Sequence, residues 1–150
     1  MKRKKVPKPS ISPSGDKSPK FGGAPENAEK EKPCWQLGCM DFDGSWTWHS
    51  ANHWDVLGQI HEKLKHFETM TWAEISKATG GRTVGNNSHF VSVDDITSEA
   101  QKRLKTLGHK DVSEIYSLRL TGRQRVWGIR AGRVLKVLWW DPNHEIYESS

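Results

Sequence analysis

The chain has 150 residues and a formal net charge of +5, with 23 lysine and arginine side chains against 18 aspartate and glutamate. The excess lies in residues 1–33, which hold nine basic and four acidic residues, whereas residues 34–150 hold fourteen of each. This distribution excludes a histone-like basic body. No apolar run approaches the ~20 residues of a membrane helix, and the basic start lacks the apolar core of a secretory signal. We therefore expect a cytoplasmic protein with no membrane partner.

Residues 1–33 predict a disordered basic tail rich in proline and serine. They contain six of the seven prolines and few aliphatic or aromatic side chains. Such a segment cannot bury enough apolar surface to offset the entropy lost on ordering. The cluster Lys2-Arg3-Lys4-Lys5 has two functional interpretations, contact with nucleic acid or a nuclear-import signal, and a simpler one as a solubilising tail, which we favour. Residues 34–150 are then a single domain.

The first half of this domain predicts a short strand or hairpin followed by two helices. Residues 40–48 alternate bulky and polar side chains around a glycine, which is typical of a hairpin. Thr71–Ala78 begins with a capping box that Glu74 completes, and Gly80-Gly81 ends this helix. The preceding helix, over residues 55–67, places its apolar side chains on one stripe: Val56, Leu57, Ile60, Leu64 and Phe67.

The second half predicts one more strand and helix before a strand-rich end. Phe90–Val93 is a short strand candidate, and Asp94 or Asp95 then caps a helix that Gly108 closes. This helix carries apolar side chains at helical spacing: Ile96, Ala100, Leu104 and Leu107.

Three strand-like runs follow, and short glycine-containing links join them as in antiparallel neighbours: Ile115–Leu120, Arg125–Arg130 and Arg133–Trp140. A turn at Asp141-Pro142-Asn143 leads into His144–Tyr147. The sequence therefore predicts an α+β fold in which N-terminal helices pack on a C-terminal antiparallel sheet of three to four strands.

The C-terminal runs carry an arginine cluster. Residues 100–150 hold ten basic and five acidic side chains, whereas residues 34–99 hold four and nine. Arginine grips phosphate through two parallel hydrogen bonds, and aromatic faces stack on nucleobases. We expect Trp127 and Trp139 in the core. The candidate nucleic-acid-binding residues are Arg123, Arg130, Arg133 and Trp140.

Two cysteines and two histidines raise the alternative of a zinc site: Cys34, Cys39, His49 and His53. Cysteine and histidine pairs at such intervals can hold zinc in tetrahedral geometry. The tryptophan-rich gap between the two pairs favours instead free thiols and surface histidines. The sequence predicts neither a metal centre nor a cofactor.

The run from Leu118 to Ser149 resembles the C-terminal half of the RelE/ParE-type toxins of bacterial toxin–antitoxin modules. The predicted helices at 55–67 and 71–78 resemble the helix pair of that family. The strand and helix between residues 90 and 108 depart from its pattern, as does the basic tail. A group of uncharacterised bacterial proteins has a similar ending, which implies no function. The positions that carry the resemblance are Leu118-Arg119, Gly122, Arg125-Val126, Ala131-Gly132, Val134–Trp140, His144 and Tyr147.

The resemblance implies ribosome-dependent mRNA cleavage in its RelE branch and gyrase inhibition in its ParE branch, with an antitoxin as partner. For an endoribonuclease it assigns the acid–base role to His144 or Glu145 and a supporting role to Tyr147. Arg119 and Arg125 would stabilise the phosphorane charge. The alternatives are a non-catalytic module that binds RNA or protein through the same sheet, and a structural protein whose tryptophan-rich surface forms a subunit contact. Whether the protein is an enzyme, and its oligomeric state, stay open.

Overall fold

The computed structural model describes residues 25–78 and 87–148. Residues 1–24 of the predicted tail and the predicted helix stop at Gly80-Gly81 lie outside the described residues. The helices are α1 (Pro25–Ala28), a π-helical segment (Asp55–Ile60) that continues into α2 (His61–Phe67), α3 (Trp72–Lys77) and α4 (Ser98–Thr106), with 3-10 turns at Trp48–Ser50 and Val93–Asp95. The strands are β1 (Cys34–Gln36), β2 (His89–Ser92), β3 (Glu114–Arg119), β4 (Arg125–Ala131) and β5 (Val134–Asp141).

The five strands form one mixed sheet in the order β1-β5-β4-β3-β2. The C-terminal meander is confirmed, because β3, β4 and β5 pair as antiparallel neighbours. Strand β2 adds to β3 in antiparallel fashion, and β1 pairs with β5 in parallel. The α+β class is therefore confirmed, but the sheet has five strands instead of the predicted three or four and is mixed instead of wholly antiparallel.

Residues 40–48 form no regular strand, contrary to the sequence prediction. They follow the edge of β5 instead, where the N–H of Asp41 donates to the carbonyl oxygen of Leu138 over 2.9 Å. The side chain of Asp41 accepts from the N–H of Asp43 over 3.0 Å, and Gly44 has a φ of 76°. The bond from the N–H of Asp43 to the Asp41 side chain competes with strand pairing, and the chain turns at Gly44.

Part of the apolar stripe predicted for residues 55–67 faces solvent. Ile60 and Phe67 are buried, but Val56 and Leu57 are exposed. Trp54, just before them, is 79% exposed. The first turns wind as a π-helix with hydrogen bonds five residues apart, so the 3.6-residue spacing of the prediction applies only from Ile60 onward.

The N-cap of α4 lies two or three residues after the predicted cap at Asp94 or Asp95. Thr97 is the N-cap, and its hydroxyl accepts from the N–H of Ala100 over 3.4 Å. Asp94 and Asp95 belong to the preceding 3-10 turn. Gly108 follows the helix with a φ of 87°, as the glycine stop predicts.

Residues 25–33, which the sequence assigns to the tail, lie against α3. The carbonyl oxygen of Glu31 accepts from the N–H of Trp72 over 3.0 Å, and that of Glu29 accepts from Ala73 over 2.9 Å. These are N–H groups of the first turn of α3, which have no partner within the helix. The folded part therefore begins before Cys34.

Apolar side chains cover both faces of the sheet. One cluster joins Phe67 of α2 and Trp72 of α3 to Trp140 of β5, and the other joins Leu104 of α4 to Trp127 of β4. None of the helices within residues 25–78 and 87–148 has the length and apolar character to cross a bilayer.

Candidate functional site at one end of the sheet

The strand register brings several polar side chains together at one end of the sheet. Arg119 at the end of β3 lies opposite Arg125 at the start of β4, which lies opposite Asp141 at the end of β5. In the adjacent row on the same face, His89 of β2 lies opposite Ser117 of β3. Residues two apart along a strand point to one face, so both rows share the α4 side of the sheet. We call this region the sheet-end site.

Asp141 anchors this site from within. Its side chain is 0% exposed. The carboxylate accepts from the indole N–H of Trp127 over 3.1 Å, from the N–H of Glu145 over 2.9 Å and from that of Ile146 over 3.1 Å. These bonds tie the segment after the Pro142 turn to β5. The sequence suggested only a turn at Asp141, so its role as the anchor was missed.

The guanidinium of Arg125 is buried and donates to two backbone carbonyl oxygens. Its residue exposure is 3%, and its Nη1 donates to the carbonyl oxygens of Gly122 and Gln124 over 2.8 and 3.1 Å. Burial and the nearby charge of Arg119 lower its pKa to about 10, while Asp141 opposes that shift. A pKa of about 10 leaves Arg125 positively charged at neutral pH.

His144 is half-buried beside these arginines and has a φ of 56°, unusual for a residue other than glycine. Burial is the largest cause that lowers the pKa of its imidazole, and the charge of Arg125 adds to it. His89 and Arg123 lower the pKa further, whereas Asp141 opposes the shift. The ring is therefore neutral at pH 7 and able to accept a proton.

Other predicted site residues also lie at this end. Arg123 is exposed in the turn between β3 and β4, and Tyr147 is half-buried with its ring centroid 6.0 Å from that of His89. Glu145 is exposed and borders a cavity of about 230 Å³ together with Asp55. Of the two acid–base candidates, His144 is therefore the more buried.

Three predicted nucleic-acid-binding residues lie elsewhere. The guanidinium of Arg130 is buried, 4.3 Å from the centroid of the Trp72 ring, and forms an ion pair with Glu29. Arg133 lies in the turn after β4 with its Nε 3.5 Å from a carboxylate oxygen of Glu31. Trp140 is buried in the core and presents no ring face to solvent. Of the four predicted nucleic-acid-binding residues, only Arg123 therefore lies at the sheet-end site.

A cavity of about 330 Å³ adjoins Arg119. Its polar lining includes Lys63, Ser88 and Thr121, and its apolar wall includes Phe67. The hydroxyl of Ser88 accepts from the N–H of Arg119 over 2.9 Å and so joins β3 to the residues preceding β2. Cations beside an apolar wall suit a nucleotide, which has an anionic phosphate and an apolar base face.

The zinc alternative finds no geometric support among residues 25–78 and 87–148. No three histidine, cysteine, aspartate or glutamate side chains there are close enough to share a metal ion. Cys34 and Cys39 are free thiols. His49 instead packs beside Phe42, with ring centroids 5.2 Å apart.

Comparison with known proteins assigns no family to this chain. No protein-family model, curated protein or solved structure matches it. The resemblance to RelE/ParE-type toxins, carried by Leu118 to Ser149, therefore stays a prediction. The geometry and chemistry of the sheet-end site are therefore the basis for a functional proposal.

Proposed function

We propose that this protein is a RelE/ParE-like, toxin-type endoribonuclease that binds and cleaves RNA at the sheet-end site. The observation that carries the proposal is the convergence of three arginines with a histidine that is neutral at pH 7: Arg119, Arg123, Arg125 and His144. Cations that already lie in place can stabilise a charge that develops in a transition state, because they need no reorganisation. A phosphodiester is the substrate class that fits such a site.

RNA supplies its own nucleophile in this chemistry. His144 takes the proton of a 2′ hydroxyl, and the oxygen attacks the adjacent phosphorus. The bond to the 5′ oxygen breaks, that oxygen takes up a proton, and the products are a 2′,3′-cyclic phosphate and a 5′ hydroxyl. Arg119 and Arg125 stabilise the additional negative charge on the phosphorane, and Tyr147 supports the site from its edge. DNA lacks the 2′ hydroxyl and is not cleaved.

The arginines divide this work by their exposure. Arg125 is buried and held by two carbonyl oxygens, so it contributes a fixed positive charge from beneath the surface. Arg123 is exposed and can contact a phosphate directly. The cavity that Arg119 borders is walled by Phe67 and so lies toward the other face of the sheet.

The layout of the chain supports the toxin interpretation as well. A helix pair, α2 and α3, precedes an antiparallel meander, as the resemblance implies. The additional β2 and α4 precede the meander and contribute His89 to the site. The proposal includes an antitoxin partner, encoded by a small neighbouring gene, whose co-expression would restore growth.

The test is induced expression of the full chain in a bacterium, with growth and transcript integrity followed. We expect growth arrest with cleavage of mRNA, and cleavage by the purified chain of end-labelled RNA, free or on ribosomes. His144→Ala should lower the cleavage rate by about 10²–10⁴-fold. Arrest with DNA damage and intact transcripts would support gyrase inhibition instead.

Two exposed arginines in glycine-containing turns provide a matched pair of variants. Arg123→Ala should weaken RNA binding and reduce the slope of its salt dependence by about one charge. Arg133→Ala, at the opposite end of β4, should change neither. Equal effects of the two variants would contradict the site. RNA binding without cleavage would favour the non-catalytic module.

A further inference from the structure

His89 lies at the sheet-end site, although nothing in its sequence context singles it out. It begins β2, which pairs with β3, and it shares a face with Arg119 and Arg125. Its ring meets that of Tyr147 edge to face, with an interplanar angle of 68°. Its charge also acts on His144, since it contributes to lowering the pKa of that imidazole. Two histidines therefore belong to one site.

The hydrogen bond that His89 makes defines its tautomer. Its Nδ1 lies 2.5 Å from the carbonyl oxygen of Asn87. A carbonyl oxygen can only accept, so Nδ1 carries a hydrogen and donates it. Nε2 is then the ring nitrogen that remains for a substrate atom, and the ring orientation is maintained by the backbone and by Tyr147.

We propose that His89 is the second acid–base group of this site and delivers the proton to the leaving 5′ oxygen while His144 removes the proton of the 2′ hydroxyl. This inference rests on the proposed function, because it names a further catalytic residue of the same cleavage. It identifies the substrate as a phosphodiester with a poor alkoxide leaving group, which needs a proton at the moment that its bond breaks.

The proton balance of this step is complete. The 2′ oxygen transfers its proton to His144 and forms the new bond to phosphorus. The electron pair of the broken bond stays on the 5′ oxygen, which takes the proton from Nε2 of His89. His144 ends protonated and His89 neutral, with its Nδ1 hydrogen still on the carbonyl of Asn87. His144 then releases a proton to water and His89 takes one from water, which restores the starting state.

The charges around the two rings favour this division of roles. His144 is faced by Arg125 of β4, Asp141 of β5, His89 of β2 and Arg123 of the β3–β4 turn, and with burial their net effect lowers the pKa of its imidazole. These surroundings favour the neutral form of His144, so we assign it the base role, and the acid role goes to His89, the other imidazole on this face of the sheet.

A substrate with sulfur in place of the bridging 5′ oxygen tests the acid role. A thiolate is a far weaker base than an alkoxide and leaves without a proton. On normal RNA, His89→Ala should lower the cleavage rate by about 10²–10⁴-fold. On the 5′-thio RNA it should cleave within about threefold of the wild-type rate, whereas His144→Ala should stay slow on both substrates. Both RNAs are supplied in the form, free or ribosome-bound, that the wild-type chain cleaves.

Two further variants separate this role from a structural one. His89→Gln retains a polar side chain of similar reach but cannot titrate, so it should show the same loss and the same rescue. His61→Ala, an exposed histidine of α2, should cleave both substrates at the wild-type rate. Circular dichroism and thermal unfolding would establish that each variant is folded.

The pH profile provides an independent measurement. The wild-type chain should show a bell-shaped dependence of kcat/KM, because one ring must be neutral and the other protonated. His89→Ala should lose the fall at high pH, and His144→Ala should lose the fall at low pH.

Different results would refute the acid role of His89 and the proposed RNA cleavage. If the wild-type chain cleaves RNA but both His89 variants retain its rate, or lose it without rescue by sulfur, the acid role is wrong and the proposed function stands. If the wild-type chain cleaves no RNA, the proposed function is wrong and this inference falls with it.

Discussion

Replacement of Arg103 by alanine should destabilise the fold in a pH-dependent way. Arg103 on α4 donates from Nε and Nη2 to the two carboxylate oxygens of Asp41 over 2.8 and 2.7 Å. The Asp41 side chain is 2% exposed and that of Arg103 is 21% exposed. The carboxylate also accepts from the indole N–H of Trp139 over 3.0 Å and from the N–H of Asp43. The variant would leave a buried charge with two of its four donors.

The expected cost at pH 7 is about 3 kcal/mol in the free energy of unfolding. Breaking a buried ion pair typically costs about 3–5 kcal/mol, and each hydrogen bond to a charged group contributes about 1.5–3 kcal/mol. The partial exposure of Arg103 brings the value toward the lower end, since water can reach some of the site that the guanidinium vacates.

The cost should shrink in acid, because the loss of the Arg103 bonds should raise the pKa of Asp41. In the wild-type chain burial by itself raises this pKa, but the bonds from Arg103, Asp43 and Trp139 outweigh it and hold it below its ordinary value. That stabilisation is present above the unfolded pKa of about 3.9 and is lost as the pH falls through the folded pKa. Without Arg103, two of the bonds that oppose the effect of burial are lost, so the pKa of Asp41 should rise and protonation should relieve part of the penalty.

Urea unfolding of the full chain at pH 7 and pH 3, with fluorescence of the tryptophans as the signal, measures this difference. Lys102→Ala, an exposed cation of the same helix, is the matched control and should change stability by less than about 0.5 kcal/mol. In an Asp41→Asn background, Arg103→Ala should cost less than about 1 kcal/mol because the buried charge is gone. A cost below about 1 kcal/mol at pH 7 in the wild-type background, or an equal cost at both pH values, would refute this account.

Three further substitutions have defined outcomes in the same unfolding assay. Gly128→Ala should cost about 2–3 kcal/mol, because a Cβ there would overlap a backbone carbonyl of β5, while Gly38→Ala meets open space and should cost little. Thr71→Ala should cost about 1 kcal/mol, since its hydroxyl caps α3 by accepting from the N–H of Glu74 over 3.2 Å. Arg130→Ala should cost about 2 kcal/mol by removing the cation–π contact with Trp72 and the ion pair to the partly exposed Glu29, yet leave RNA affinity unchanged.

The elements that form through residues close together in the sequence were predictable from it. The β3–β5 meander was visible because each link is a short turn that contains glycine, such as Gly122 and Gly132. The start of α3 was visible because Thr71 and Glu74 lie three residues apart. Strand β1 was not, since its three residues pair with Val134–Lys136 about a hundred positions later in the chain. Pairing at that distance leaves no local pattern.

The candidate site was predictable only in part, for the same reason. Arg119 and Arg125 flank one turn, so their proximity followed from the predicted meander. Arg130 belongs to the same strand, but five residues at about 3.3 Å each carry it about 16 Å away. His89 reached the site only through the pairing of β2 with β3.

The amino-acid sequence by itself determined the α+β class, the antiparallel end of the domain and the supply of arginines there, because turn chemistry and strand patterning act over a few residues. The tertiary structure decided which of those arginines share an end of the sheet and which are buried. It also supplied His89 and the anchor at Asp141. Packing and strand order join residues distant in sequence, and the charge environment that makes His144 neutral exists only once they have met.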